Sequence, residues 1–197
     1  VKNGTYKEKV VIPSWLQNVE FIGESVENTI ITYDDHANIN KMGTFRTYTV
    51  KVEGNSITFK NLTIENNAAR LGQAVALHTE GDKLVFINCR ILGNQDTIYT
   101  GAAGTRLYFA DCYIDGTTDF IFGPSTALFE NCEIRSKTNS YVTAASTPKD
   151  IAVGYVFKNC RLTADPGVDK VYLGRPWRPY AATVFINCEM GKHIRPE

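Results

Sequence analysis

Several features that would narrow the chemistry of a chain of 197 residues are missing from this one. Its charges cancel, 21 Lys and Arg against 21 Asp and Glu, so no overall field draws it to nucleic acid or an anionic membrane, although a local charged groove stays open. No apolar stretch approaches the roughly 20 residues of a membrane span, and no signal peptide opens the chain. His36, His78 and His193 are scattered singly, without neighbours at metal-ligand spacing. Asp34-Asp35 and Glu80-Gly-Asp82 read as solvated turns rather than a calcium site. There is no Gly-x-Ser-x-Gly elbow for a serine hydrolase. No two cysteines have C-x-x-C spacing, and no long amphipathic run carries helix start and stop signals.

What is present is repetition. One phrase recurs as Phe59-Lys-Asn-Leu-Thr-Ile64, Phe86-Ile-Asn-Cys-Arg-Ile91, Phe109-Ala-Asp-Cys-Tyr-Ile114, Phe129-Glu-Asn-Cys-Glu-Ile134, Phe157-Lys-Asn-Cys-Arg-Leu162 and Phe185-Ile-Asn-Cys-Glu-Met190. Its fourth positions are 27, 23, 20, 28 and 28 residues apart, the period of a solenoid whose turns stack on one another. The phrase reads as a short strand, with Phe, the fourth residue and the final aliphatic one turned inward. Asn or Asp at the third position, and clusters such as Asn66-Asn67, Gly93-Asn94, Asp115-Gly116 and Asp165-Pro166-Gly167, supply the left-handed and capped conformations of tight corners. Val, Ile, Phe, Tyr and Thr fill the stretches between them. The fold class expected is all-β, a parallel β-helix.

With 43% hydrophobic residues and no visible linker, residues 1–197 read as one domain around one core. The opening residues, Val1 to Pro13, already read as strand and turn, and His193-Ile-Arg-Pro-Glu197 stops after the sixth repeat. Because a solenoid needs capped ends, both ends read as cut. Same-phase residues of successive turns lie roughly 4.8 Å apart, so the five cysteines form one ladder. Stacked core packing is the expected role for those thiols, with a disulfide between neighbouring rungs as the alternative.

Phase also pairs two acids. Asp96 lies seven residues after Cys89 and Asp119 seven after Cys112, which makes them neighbours on consecutive turns. At an effective dielectric near 20 and about 5 Å, two full charges repel by roughly 3 kcal/mol, or about two pK units. One proton is therefore retained near neutral pH, and an acid beside an ionised carboxylate suits nucleophilic attack with leaving-group protonation. Aspartate here also suits a simple turn cap. Two carboxyls so spaced would equally fit a retaining glycosidase.

Gly72-Gln-Ala-Val-Ala-Leu77, Gln95-Asp-Thr97, Asp119-Phe-Ile-Phe-Gly123 and Leu173-Gly-Arg-Pro-Trp177, preceded by Gly4-Thr-Tyr-Lys-Glu8 and Gly43-Thr-Phe45, resemble the ordered motif series of pectin methylesterases, the pectinesterase family. The resemblance covers essentially the whole chain. It implies a right-handed parallel β-helix and a metal-independent carbohydrate esterase, without cofactor, that removes methyl esters from galacturonate units of pectin and releases methanol. A polymeric cell-wall substrate implies secretion, extracellular or periplasmic; an inhibitor protein as partner is left open. Under the resemblance Asp119 is the nucleophile, Asp96 the acid and then the base, and Gln95 and Gln73 donate to the carbonyl oxygen. Neutral amide donors fit that last task, because a further carboxylate would oppose the developing charge. Arg175 would pair with Asp119 and keep it ionised while Asp96 keeps the proton. Trp177 would lie against a sugar face, and Thr44, Phe45, Tyr99 and Phe122 would line the same groove. Strand alternation sets Phe120 and Phe122 on one face and Ile121 on the other, which would aim Phe122 at the core.

Two positions depart from the family pattern: Pro124 stands where Asn or Asp is usual, and Thr143-Ala-Ala-Ser146 where Thr-Ala-Gln-Gly is common. Both are expected to alter the shape of a substrate subsite. Asn3-Gly-Thr5 and Asn61-Leu-Thr63 fit glycosylation sequons, the second inside the repeat. Two other function classes compete: a β-helix polysaccharide lyase or glycosidase, and a noncatalytic pectin-binding solenoid.

Overall fold

A computed structural model describes residues 1–196. The chain winds into a right-handed coil whose walls are three sheets of eight, seven and seven strands, with every strand pair parallel. Each sheet takes every third strand, so one rung of the coil contributes one strand to each wall. Short 3-10 turns at Ile39–Lys41 and Thr44–Arg46 are the only helical elements among the described residues.

The repeated phrase spans a corner instead of forming one strand. Leu84–Ile87 ends with its first two residues, Arg90–Leu92 begins with its last two, and the strands belong to different walls. The third residue makes the bend: Asn61, Asn88, Asp111, Asn131, Asn159 and Asn187 all have φ between 48° and 55°. Asn and Asp tolerate this left-handed region better than other side chains. The bend brings Phe and Cys, three residues apart, to face the same interior, which a straight strand could not do.

Parallel register then stacks like on like. Phe59, Phe86, Phe109, Phe129, Phe157 and Phe185 pair in sequence, with ring centroids 4.5 to 5.3 Å apart and planes within 9°. Phe21 extends the stack by one more ring, 5.0 Å from Phe59. It escapes the sequence pattern because Gly23 and Glu24 stand where the corner Asn and the Cys would be. The five cysteines are free thiols, which removes the disulfide alternative. Each Sγ donates to the Phe carbonyl of an adjacent rung, as from Cys89 to Phe59 at 3.5 Å and from Cys160 to Phe129 at 3.3 Å. The thiol thus fills space and satisfies a carbonyl at the corner.

Phe109 is fully buried with a ring on either side. Phe109→Ala should therefore destabilise the coil by about 3–5 kcal/mol, the usual cost of emptying such a site. Urea denaturation measures it; a loss below about 1 kcal/mol would mean the stack is not a principal support of the core.

Candidate active site

The wall that carries the site is the sheet containing Leu77–Thr79, Ile98–Thr100, Ile121–Gly123, Tyr141–Ala145 and Tyr172–Gly174. Ile98 pairs with Leu77 on one side and Ile121 on the other. Asp96 and Asp119, two residues before those isoleucines, consequently occupy equivalent corners of consecutive rungs. Both are left-handed, at φ 67° and 49°. Their amides run forward into the coil, Asp96 to the Thr118 carbonyl at 3.1 Å and Asp119 to that of Tyr141 at 2.8 Å.

The corner before Asp96 is bolted to its neighbours. Asp115 Oδ1 accepts the Gly93 amide at 3.0 Å, Lys137 Nζ donates to the Gly93 carbonyl at 2.7 Å, and the Thr97 hydroxyl donates to the Asp115 carbonyl at 2.9 Å. These ties join three rungs, so the spacing of the two acids does not depend on one flexible loop.

A cleft of about 430 Å³ opens over the corners. Of the residues singled out in the sequence, Thr44, Phe45, Gln73, Gln95, Asp96, Asp119, Phe122, Arg175 and Trp177 line it. Tyr99 does not. Its ring lies beside Phe122 on the neighbouring strand, stacked on it at 4.8 Å and tilted against Phe45 at 4.7 Å, so it supports two residues that line the cleft. Phe122 faces the cleft and not the core, contrary to simple alternation. Phe120 lies in the corner after Asp119, before the strand begins at Ile121, so alternation starts one residue later than a straight reading assumes. Phe120 and Ile121 both enter the core. Gly116 makes room for that inward turn, since a Cβ there would lie 2.1 Å from Phe120 Cβ.

Asp119 is 8% exposed and receives the guanidinium of Arg175 through two nitrogens: Nε reaches Oδ1 at 3.0 Å and Nη2 reaches Oδ2 at 2.6 Å. Such forked pairing fixes direction as well as distance. Arg175 comes from the end of Tyr172–Gly174, 56 residues away in sequence, and its guanidinium lies 4.9 Å from the Tyr141 ring centroid. Tyr141 is a member of the site that the sequence did not single out; an aromatic at a strand start carries no distinguishing local signal.

Asp96 is 9% exposed, and its carboxyl is pushed up to about 7. Burial is the first cause, the Asp119 charge the second, and Arg175 partly opposes both. Repulsion, which is all the sequence can offer, is thus the smaller contribution. Near neutral pH the cleft holds one carboxyl that keeps its proton beside another clasped by a guanidinium.

The rim is aromatic. Trp177 is 37% exposed, meets Phe122 edge-on at 5.7 Å, and has the Arg178 guanidinium 4.9 Å from its ring centroid. Ala144, paired with Phe122, is part of the lining, but it matches the family pattern; the residues that depart from it, Ala145, Ser146 and Pro124, are not among those that line the cleft. The histidines stand apart: His78 is buried outside the cleft, its Nε2 2.7 Å from Glu80, and burial lowers its pKa. Asp82, read as a solvated turn, is taken by Arg106, which holds its carboxyl down at about 2.

The family model for pectinesterase matches residues 1–197. The chain belongs to the pectinesterase family. It is 38% identical to pectinesterase 31 of Arabidopsis thaliana, covering 98% of this chain and 63% of that protein. Among solved structures, the pectin methylesterase from carrot superposes with a TM-score of 0.93 at 32% identity, covering 99% of this chain and 64% of the other. A pectin methylesterase in complex with a hexasaccharide superposes at 0.90 with 30% identity, over 98% of this chain and 70% of that one. The chain spans 36% of several relatives whose names join pectinesterase to pectinesterase inhibitor.

Proposed function

We propose that the protein hydrolyses methyl esters of galacturonate units in pectin and releases methanol, with Asp119 as nucleophile and Asp96 as acid and base. One observation carries the reading: two corner carboxyls in a single cleft, one holding its proton to about pH 7 and the other gripped by Arg175. The family and its structurally similar members support the same substrate class.

In the first half-reaction an Asp119 oxygen attacks the ester carbonyl carbon, and the carbonyl oxygen takes up the displaced electron pair. The amide groups of Gln73 and Gln95, both at the cleft, supply donors for that oxyanion. When the intermediate collapses, the bond to methoxide breaks and Asp96 gives up its proton, so methanol leaves and an anhydride joins the substrate to Asp119. Asp96 is now a base. It takes a proton from water, the hydroxide attacks the anhydride carbonyl, and Asp119 departs as carboxylate while Asp96 is again protonated. Neither half consumes any group that the other does not restore. Arg175 orients Asp119 throughout, and Trp177, Phe45 and Thr44 form the surface against which the sugar ring rests.

Secretion and a cell-wall setting follow from a polymeric substrate of this kind, and metal is not required by any step. The glycosidase or lyase reading shares the carboxylate pair but has no use for two glutamine amides beside it. The discriminating experiment is methanol release and acid production from highly methylated pectin, followed together with viscosity. Methanol should appear at constant chain length. A fall in viscosity without methanol would assign chain cleavage, and pectin binding without either would assign a noncatalytic module.

A further inference from the structure

Two segments that line the cleft are not strands. Residues 34–47 carry Thr44 and Phe45, pass through left-handed Asn40 and Lys41 at φ 50° and 54°, and contain the two 3-10 turns. Residues 67–76 carry Gln73 between the strands Thr63–Asn66 and Leu77–Thr79. Neither has a ladder of its own to hold it, yet both present groups to the same cleft.

One side chain ties them. Asn66, 1% exposed, directs Nδ2 at three carbonyls: Asp35 at 2.9 Å, Thr47 at 3.0 Å and Val75 at 3.1 Å. Its Oδ1 accepts the Ala68 amide at 3.0 Å. The two amide hydrogens are shared among three acceptors, and flipping the group would turn an oxygen toward three oxygens, so its orientation is fixed. Secondary ties follow the same line. The Ala37 amide donates to the Gln73 carbonyl at 2.8 Å, while the Thr47 hydroxyl donates to Thr44 at 2.7 Å and accepts from the Val75 amide at 2.9 Å. The Asn and Asp of the repeated phrase turn their corners through a left-handed φ, whereas Asn66 ends a strand and directs its side chain at carbonyls of two neighbouring segments.

We propose that Asn66 is a positioning residue for the cleft: its side-chain amide sets where Gln73, Thr44 and Phe45 stand relative to the two carboxyls. In its kinetic consequences this rests on the esterase reading above. A displacement of about 1 Å in an oxyanion donor costs up to 10²-fold in rate, so Asn66→Ala should lower kcat about 10- to 100-fold and raise KM several-fold. The same substitution in a Gln73→Ala background should cost less than about twofold further in kcat, because the donor it places is gone, while the rise in KM persists.

The test is that double-mutant cycle on methylated pectin, run together with amide hydrogen exchange on the same proteins. Faster exchange at Ala37, Ala68 and Val75 with unchanged protection at Phe86 and Phe109 is the expected structural readout. Kinetic constants unchanged in Asn66→Ala, with only a lower melting temperature, would reduce Asn66 to a structural residue and overturn the proposal; so would additive kcat losses. If Asn66→Ala does not fold, Thr47→Val removes another tie of the clamp and must give the same pattern for the proposal to stand. Should the unsubstituted chain release no methanol, the esterase reading fails, while exchange at the three amides still decides whether Asn66 holds the two segments.

Discussion

Asp119→Ala is expected to lower methanol release by about 10⁴- to 10⁶-fold, the scale on which removing a covalent nucleophile acts. Three features of the site set that size. The carboxylate is 8% exposed and forked against Arg175, so no water takes its place in the same orientation; the Asp96 carboxyl, pushed up to about 7, is a poor substitute nucleophile; and no histidine lines the cleft. Folding should survive, because the guanidinium left behind is half exposed and keeps its place beside Tyr141. A second readout comes with the same variant. The charge that helps hold the Asp96 proton disappears, so the Asp96 carboxyl should titrate below about 7. Methanol release equal to that of the unsubstituted protein would remove Asp119 from the nucleophile role.

The other large effect concerns Asp96 and has opposite signs for activity and stability. In the proposed mechanism Asp96 is the acid and must enter the cycle protonated, so kcat/KM should fall as pH rises through about 7. Asp96→Asn cannot exchange a proton and should lose about 10²- to 10⁴-fold at every pH, with that limb of the profile gone. For stability the signs run as follows: below pH 3.8 the carboxyl is neutral in both folded and unfolded chains and costs nothing. Between there and about 7 the unfolded chain releases the proton while the folded one keeps it, so stability is lost progressively. The full loss above pH 7 is on the order of 4 kcal/mol. Asp96→Asn removes that penalty. Its melting temperature should match the unsubstituted protein near pH 4 and exceed it by several degrees at pH 8, measured by thermal unfolding across pH. A variant that is less stable than the parent at pH 8 would mean that the buried carboxyl is not strained toward its neutral form. Under the proposed mechanism Asp96 would weaken the fold where it serves the chemistry, a known trade in active sites.

Much of this architecture was legible because a solenoid converts sequence distance into spatial phase. Counting seven residues from Cys89 and from Cys112 finds the two corners where Asp96 and Asp119 sit, and the left-handed Asn or Asp of each phrase marks the bend that keeps the count in step. The limits appear wherever a corner interrupts the period. Phe122 is misassigned by alternation because Asp119 bends the chain just before it, and the phrase itself reads as one strand when it is the junction of two walls. Asn66 looks like turn chemistry, since a single letter cannot show that three carbonyls from separate segments converge on its amide.

What the sequence determined alone was periodicity and its consequences: a parallel coil, a core of stacked Phe and Cys, two acids in phase, and motifs of a known family around them. Those are local or repeat-wise properties, encoded within one turn of chain and copied by parallel pairing. The tertiary structure decided which group is dry and which is clasped. Burial of Asp96, the reach of Arg175 across 56 residues to Asp119, the packing of Tyr99 against Phe45 and Phe122 outside the lining, and the anchoring of two irregular segments by Asn66 all depend on loops of unequal length meeting over one wall. Desolvation and long-range hydrogen bonds exist only after those loops have packed, and so no spacing along the chain encodes them.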